Sequence, residues 1–245
     1  YIDRINIFLR CMVIQASWNF KALIGMGFCF CMIPMARRMY KTAEERSEFL
    51  RRHLEYFNAH PYFASYCLGA VVNLEEDAFE KGVDSRQISI FKERMAGLLG
   101  ALGDELFWSR TKPVAIALAM CLALTLGWYA LPVFLIVYNV PHFYIRLKGW
   151  RTGYKLGFGI VNELSMSRFQ AMMDKISVTG FVLAGVLLPL SAWWTFKREP
   201  SAATLVAFVL SAALVFLLIR FKVPVKFVIL AAIGIGILTG LTFSL

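Results

Sequence analysis

Three short clusters hold side chains whose types and spacing bear on function. They are Gln15-Ala-Ser-Trp18-Asn19-Phe20, Asn58-Ala59-His60-Pro61, and Asp104-Glu105 followed by Trp108 in the run Gly103 to Pro113. Amides, a lone imidazole, a carboxylate and indole rings hydrogen-bond hydroxyls and stack on the apolar faces of small polar molecules. They do not make or break bonds unaided. No Ser/His/Asp set, no phosphate-cradling loop and no His/Cys/carboxylate spacing suited to a metal occurs anywhere in the chain. The residue types therefore point to binding, with neither catalysis nor a cofactor expected. Bland readings stand beside these. Gln15, Trp18 and Asn19 also suit an interfacial anchor, His60 suits a cap on the last carbonyls of a helix, and Asp104 and Glu105 suit partners for Arg110 and Lys112. Glu75, Glu76 and Asp77 read as a solvated helix end.

The elements that must hold these clusters are helical. Thr42 and Glu45 have capping-box spacing, and Phe49, Leu50, His53, Leu54 and Phe57 recur on one side, predicting a helix over 43–58. Pro61 lacks an N–H and pushes His60 out of helical geometry, so the helix must break at Asn58-Ala59-His60. A second helix is expected through Gly69 to Glu80, and a third over 85–102 with Asp84 as its cap. Gly97, Gly100 and Gly103 sit every third residue on that third helix, a pattern suited to close approach of another helix or backbone. Residues 1–40 are semi-apolar, interrupted by Arg4, Arg10, Lys21, Arg37 and Arg38, with breaks at Gly25, Gly27 and Pro34. They read as an interfacial or re-entrant segment.

The chain is 59% hydrophobic and 17% charged over 245 residues, with its apolar runs near the ~20 residues that cross a bilayer. The fold class is an all-α integral membrane protein: an N-terminal interfacial or re-entrant helical block, 1–110, followed by a bundle, 111–245, of about five hydrophobic helices. Those segments are 113–130, 132–147, 177–196, 202–220 and 224–243. The second is short and carries Asn139, Pro141 and His142, which predicts a kink or partial unwinding. Ala232, Gly236 and Gly240 give the last segment a face for tight helix contact. The net charge of +10 flanks hydrophobic runs and reflects topology and lipid headgroups, not nucleic acid. Its asymmetry puts 108–112, 146–175 and 220–226 in the cytoplasm and the C-terminus outside. The odd set of cysteines, Cys11, Cys29, Cys31, Cys67 and Cys121, reads as packing residues in a reducing or lipid-buried setting.

At these clusters the sequence resembles the IID subunit of mannose-family (mannose–fructose–sorbose) permeases of the bacterial sugar phosphotransferase system. The matching stretches are Gln15 to Phe20, Gly27 to Pro34 with Arg37 to Tyr40, Arg51 to Pro61, Leu74 to Glu76, Gly103-Asp104 with Leu106 to Trp108 and Pro113, and Gly153 to Lys155 with Gly157. The resemblance implies a multi-pass protein of the bacterial inner membrane with an obligate IIC partner. It implies a sugar bound between the two subunits and phosphorylated by cytoplasmic IIB, which is charged by IIA. The phosphohistidines belong to those partners, and IIC–IID pairs are expected to form homo-oligomers. Gln15, Trp18, Asn19, Asn58, Ala59, His60, Asp104 and Trp108 would then be the substrate-binding residues. Two departures matter. Glu105 stands where the family has a small residue or Pro, and Ser109-Arg110 where it has Gly-Thr, which places charge beside the expected pathway. A non-transporting membrane scaffold or sensor grown from the same fold is the competing reading.

Overall fold

The computed structural model describes residues 2–82, 84–198 and, beyond them, 205–206, 209–210, 213, 216 and 220–221. Among these residues the chain is all-helical. The helices are α1 (Ile2–Cys11), α2 (Gly25–Met39), α3 (Ala43–His53), α4 (Ala64–Lys81), α5 (Ser85–Gly103), α6 (Lys112–Leu126), α7 (Ala130–Leu156), α8 (Ile160–Glu163) and α9 (Met166–Arg198). A π-helical stretch, Asp104–Thr111, joins α5 to α6 without a break, so the sequence division at 110 falls inside one helical run. The run Ser85–Glu163 and the helix Ser167–Trp194 each contain a window long and apolar enough to cross a membrane. The expected segment 224–243, with its Ala232-Gly236-Gly240 face, and most of 202–220 lie outside the described residues.

Helix α4 is the axis of the molecule. It is buried without interruption from Ala64 to Val72, and α1, α2, α5 and α7 all pack against it. Its most extensive partner is α7, and glycines set their separation. A Cβ on Gly69 would lie 2.4 Å from the Trp150 carbonyl oxygen, and one on Gly153 2.1 Å from the Tyr66 carbonyl oxygen. Both obstacles are backbone, which cannot give way as a flexible side chain can. The two helices are therefore nearer than any side chain at those positions would allow.

Local signals were strong at helix starts. Thr42 Oγ1 accepts from the Glu45 N–H at 3.2 Å while the Glu45 carboxylate accepts from the Thr42 N–H at 3.1 Å. Asp84 caps α5 by accepting from the Arg86 N–H at 2.9 Å. The expected helix 43–58, however, stops at His53. Two long-range interactions end it early. Lys92 of α5 is buried and donates from Nζ to the Arg52 carbonyl at 2.8 Å, taking a C-terminal acceptor. Phe57, fully buried, gives its N–H to the Ala22 carbonyl and accepts from the Ile24 N–H, each at 3.2 Å.

The partial unwinding expected at Asn139–His142 does not occur. Helix α7 runs unbroken through Pro141 and on to Leu156, well past the expected end at 147. Its charged last turns are not a loop, because they pack on α4. Glu75, expected on a solvated end, is 1% exposed, lies 2.8 Å from Arg52 Nη2 and has His53 Nε2 3.1 Å away. Glu76 meets Arg4 at 2.9 Å and accepts from the Tyr154 hydroxyl at 2.6 Å, and it also pairs with Arg38. Only Asp77, with Lys81 at 2.6 Å, behaves as a surface helix pair. Burial opposes ionisation of Glu75, but its His53 and Arg52 partners outweigh that and hold the carboxyl below its ordinary range.

Candidate functional site

The chain leaves α1 at Cys11 and makes a series of tight turns before α2 starts at Gly25. Asn19 organises those turns. Its Oδ1 accepts from the N–H groups of Lys21 (3.0 Å) and Ala22 (2.9 Å), its Nδ2 donates to the Ser17 carbonyl at 3.2 Å, and its backbone pairs with Leu23. Leu23 takes a positive φ of 53°, uncommon for a residue with a side chain. Its strain is held by that pairing and by a second bridge to Phe57. The turns and the Asn58–Pro61 corner are thus fastened together as two adjoining walls. The third wall is the glycine face of α5 and the start of the π-helical stretch.

Between the walls lies a cavity of about 300 Å³. Gln15, Trp18, Asn58, Ala59, His60, Asp104 and Trp108 all line it, with Leu23, Ile24, Pro61, Gly97, Gly100 and Ala101. Asn19 does not. Its polar atoms serve the turn. The volume is at the small end for ligand sites and suits a molecule of a few heavy atoms up to a single sugar ring. Among the described residues the side chains of Gln15, Asn58 and Asp104 have no protein hydrogen-bond partner. Their donors and acceptors remain available around the cavity.

His60 is different. It is buried, its ring stacks on Phe107 (centroids 5.5 Å apart, planes 15° apart), and the Tyr62 N–H donates to Nδ1 at 3.3 Å. In the neutral ring the proton then sits on Nε2. Burial, helped by the charge of Arg146, lowers its pKa from 6.5 to about 4. His60 is therefore a neutral single donor at physiological pH, unsuited to act as a general base. The sign of the pH effect follows from linkage. The unfolded chain takes up this proton near pH 6.5 and the folded chain only near pH 4, so folding stability falls as pH drops through that window. Thermal melting between pH 7 and about 4.5 should show a shallower loss for His60→Gln than for the native chain. Equal slopes would contradict the neutral assignment.

Sequence reasoning missed part of the third wall. Gly97 and Gly100 were expected to admit a neighbouring backbone; among the described residues a Cβ on Gly97 would meet nothing within 4 Å, and one on Gly100 would meet backbone at ordinary contact distance, the Asn58 carbonyl oxygen at 3.6 Å and the Ala59 Cα at 4.0 Å. Of the three glycines only Gly103 is tightly packed, its Cβ position 2.2 Å from His60 Cβ. Nor do Glu105 and Arg110 put charge into the cavity. Arg110 Nη2 lies 2.7 Å from Glu105 Oε1, and Nη1 reaches across to Ser177 Oγ (2.5 Å) and the Met173 carbonyl (3.2 Å) of α9. The i,i+5 spacing of Glu105 and Arg110 falls on one face in π-helical geometry but on different faces in an α-helix. Thr111 Oγ1 donates to the Leu106 carbonyl at 2.8 Å over the same interval. Lys112 does not pair with the adjacent carboxylates; its Nζ lies 4.7 Å from the centroid of the Trp108 ring. The arrangement can hold a small polyhydroxylated molecule, with amide and carboxylate groups for hydroxyls and indoles for the ring.

Residues 2–244 match the family model of the IID component of mannose/fructose/sorbose phosphotransferase systems. The mannose-specific EIID component of Escherichia coli K12 is 34% identical over 197 residues, 80% of this chain and 69% of that one. The fructose permease IID component of Bacillus subtilis is 34% identical over 194 residues, 78% and 70% of the two chains. The sorbose-specific component of Lacticaseibacillus casei is 30% identical over 184 residues, 75% of this chain and 64% of that one. Among solved structures, a chain described only as a membrane protein matches with a TM-score of 0.74 at 29% identity, covering 96% of this chain and 94% of that one. A chain of the mannose transporter ManYZ in complex with microcin E492 matches with a TM-score of 0.62 at 29% identity and the same coverage. The chain belongs to the IID component family of the mannose/fructose/sorbose phosphotransferase systems.

Proposed function

We propose that this chain is the membrane IID subunit of a sugar phosphotransferase permease, binding and translocating a hexose-type sugar together with a IIC subunit. The observation that carries the site assignment is the convergence of Gln15, Asn58 and Asp104, each without a protein hydrogen-bond partner among the described residues, on one cavity of about 300 Å³ that also holds Trp18 and Trp108. Amides and a carboxylate recognise the hydroxyls, and the indoles cover the C–H faces of the ring. His60 contributes one neutral N–H, and Ala59 leaves room. Bond chemistry falls to the partners: cytoplasmic IIB transfers the phosphoryl group to the sugar and is itself charged by IIA. The chain sits in the bacterial inner membrane with its Arg- and Lys-rich helix ends, including the end of α7, in the cytoplasm. Pairs of IIC and IID assemble into a larger homo-oligomer.

The competing scaffold reading draws on the charges at Glu105 and Arg110, and their mutual pairing, directed toward α9, takes away that motive. Membrane vesicles carrying this chain, its IIC partner and the phosphocarriers test the proposal. With phosphoenolpyruvate, radiolabelled mannose, fructose or sorbose should accumulate as its phosphate only when both membrane subunits are present. Uptake of equal rate without this chain would overturn it.

A further inference from the structure

Behind the cavity wall lies a buried cation that no carboxylate among the described residues neutralises. Arg146 of α7 is 5% exposed, and none of the ion pairs among the described residues includes it. Its Nη1 donates to the carbonyl of Cys11, its guanidinium carbon stands 5.0 Å from the centroid of the Tyr62 ring, and its Nε has no partner. Tyr62 in turn stacks on His142 (4.4 Å), meets His60 edge-on (4.8 Å) and contacts the Tyr138 hydroxyl at 3.3 Å. A lone charge in such a place is costly, and an apolar side chain of similar size is often neutral or stabilising there. Stability alone therefore gives no reason for an arginine.

What it touches gives one. Cys11 is the last residue of α1, from which the turns carrying Gln15 and Trp18 depart. Tyr62 immediately follows the Asn58–Pro61 corner. One rigid guanidinium grips a carbonyl at the root of the first wall and a ring at the root of the second. The two contacts need different parts of the group: an in-plane N–H for the carbonyl and the cationic face for the ring. Lysine supplies a donor and a charge but no plane.

We propose that Arg146 is a positioning residue for the sugar, fixing the distance between the Gln15–Trp18 wall and the Asn58–His60 wall. The proposal rests on reading the cavity as the sugar site. Its test is the same vesicle assay, with KM and Vmax referred to the amount of assembled complex and with whichever of mannose, fructose or sorbose is taken up. Arg146→Met should raise KM at least tenfold with Vmax within about threefold, and Arg146→Lys should raise it less. Trp18→Ala, which raises KM in the native background, should add little to Arg146→Met, because the indole has already lost its place. An unchanged KM in Arg146→Met, or effects of Arg146→Met and Trp18→Ala that multiply independently, overturns the proposal. If Arg146→Met does not assemble, Arg146→Lys decides, and a native KM there overturns it. Failure of this proposal alone is an Arg146 result of that kind while Trp18→Ala still raises KM. If Trp18→Ala and Asn58→Ala both leave KM unchanged, the site reading falls and this proposal with it.

Discussion

Gly97→Leu is expected to lower sugar uptake at least a hundredfold while the chain accumulates normally and melts no earlier than the native protein. The two halves of that result come from one observation. Gly97 lines the cavity, and a Cβ there meets no atom within 4 Å. Glycine inside a helix is less favourable than alanine by about 1 kcal/mol, and among the described residues no packing contact demands it at that position. A larger residue should stabilise α5 or leave it unchanged. It would also occupy part of a cavity of only about 300 Å³. Gly103→Leu makes the contrast, since its Cβ position is 2.2 Å from His60 Cβ, and it should reduce the amount of folded protein. Uptake per folded molecule and thermal melting of both variants check the pair. Normal uptake by a stable Gly97→Leu variant would mean that the cavity is not on the sugar's route.

The double variant Trp18→Ala, Asn58→Ala is the second large effect. Both side chains are exposed at the cavity, and among the described residues the one ring contact of Trp18 is an edge-on one with Phe20 at 4.7 Å. Removing them should leave the fold alone. A hydrogen bond to a hydroxyl and a stacked ring are each worth about 0.5–1.5 kcal/mol. Their joint loss, about 1–3 kcal/mol, should raise KM roughly tenfold to a hundredfold. Transport kinetics at matched protein levels measure it, and a KM within twofold of native would remove both residues from the site.

The sequence showed the pieces of this site better than their joins. Polar residues inside apolar stretches, the proline at 61 and the capping residues Thr42 and Asp84 are local signals, readable because their physics acts over a few residues. The resemblance to known IID subunits placed the clusters in one protein class. Asn19 looked equivalent to Gln15, and only the path of the turn shows that its oxygen is used by Lys21 and Ala22. The early end of α3 depends on Lys92, some forty residues away. Burial of Glu75 and Glu76 depends on arginines from three separate helices, α1, α2 and α3. The π-helical stretch has no composition of its own, though the Glu105–Arg110 interval, five residues apart, was there to be noticed. The late end of α7 at Leu156 was missed because its polar last turns pack on α4, a contact that local charge does not reveal.

The most direct measurement is a density map of the assembled IID–IIC complex in saturating sugar. The account predicts a sugar ring between Trp18 and Trp108, within hydrogen-bonding reach of Gln15, Asn58 and Asp104. A sugar bound elsewhere, with this cavity holding only water, would contradict it.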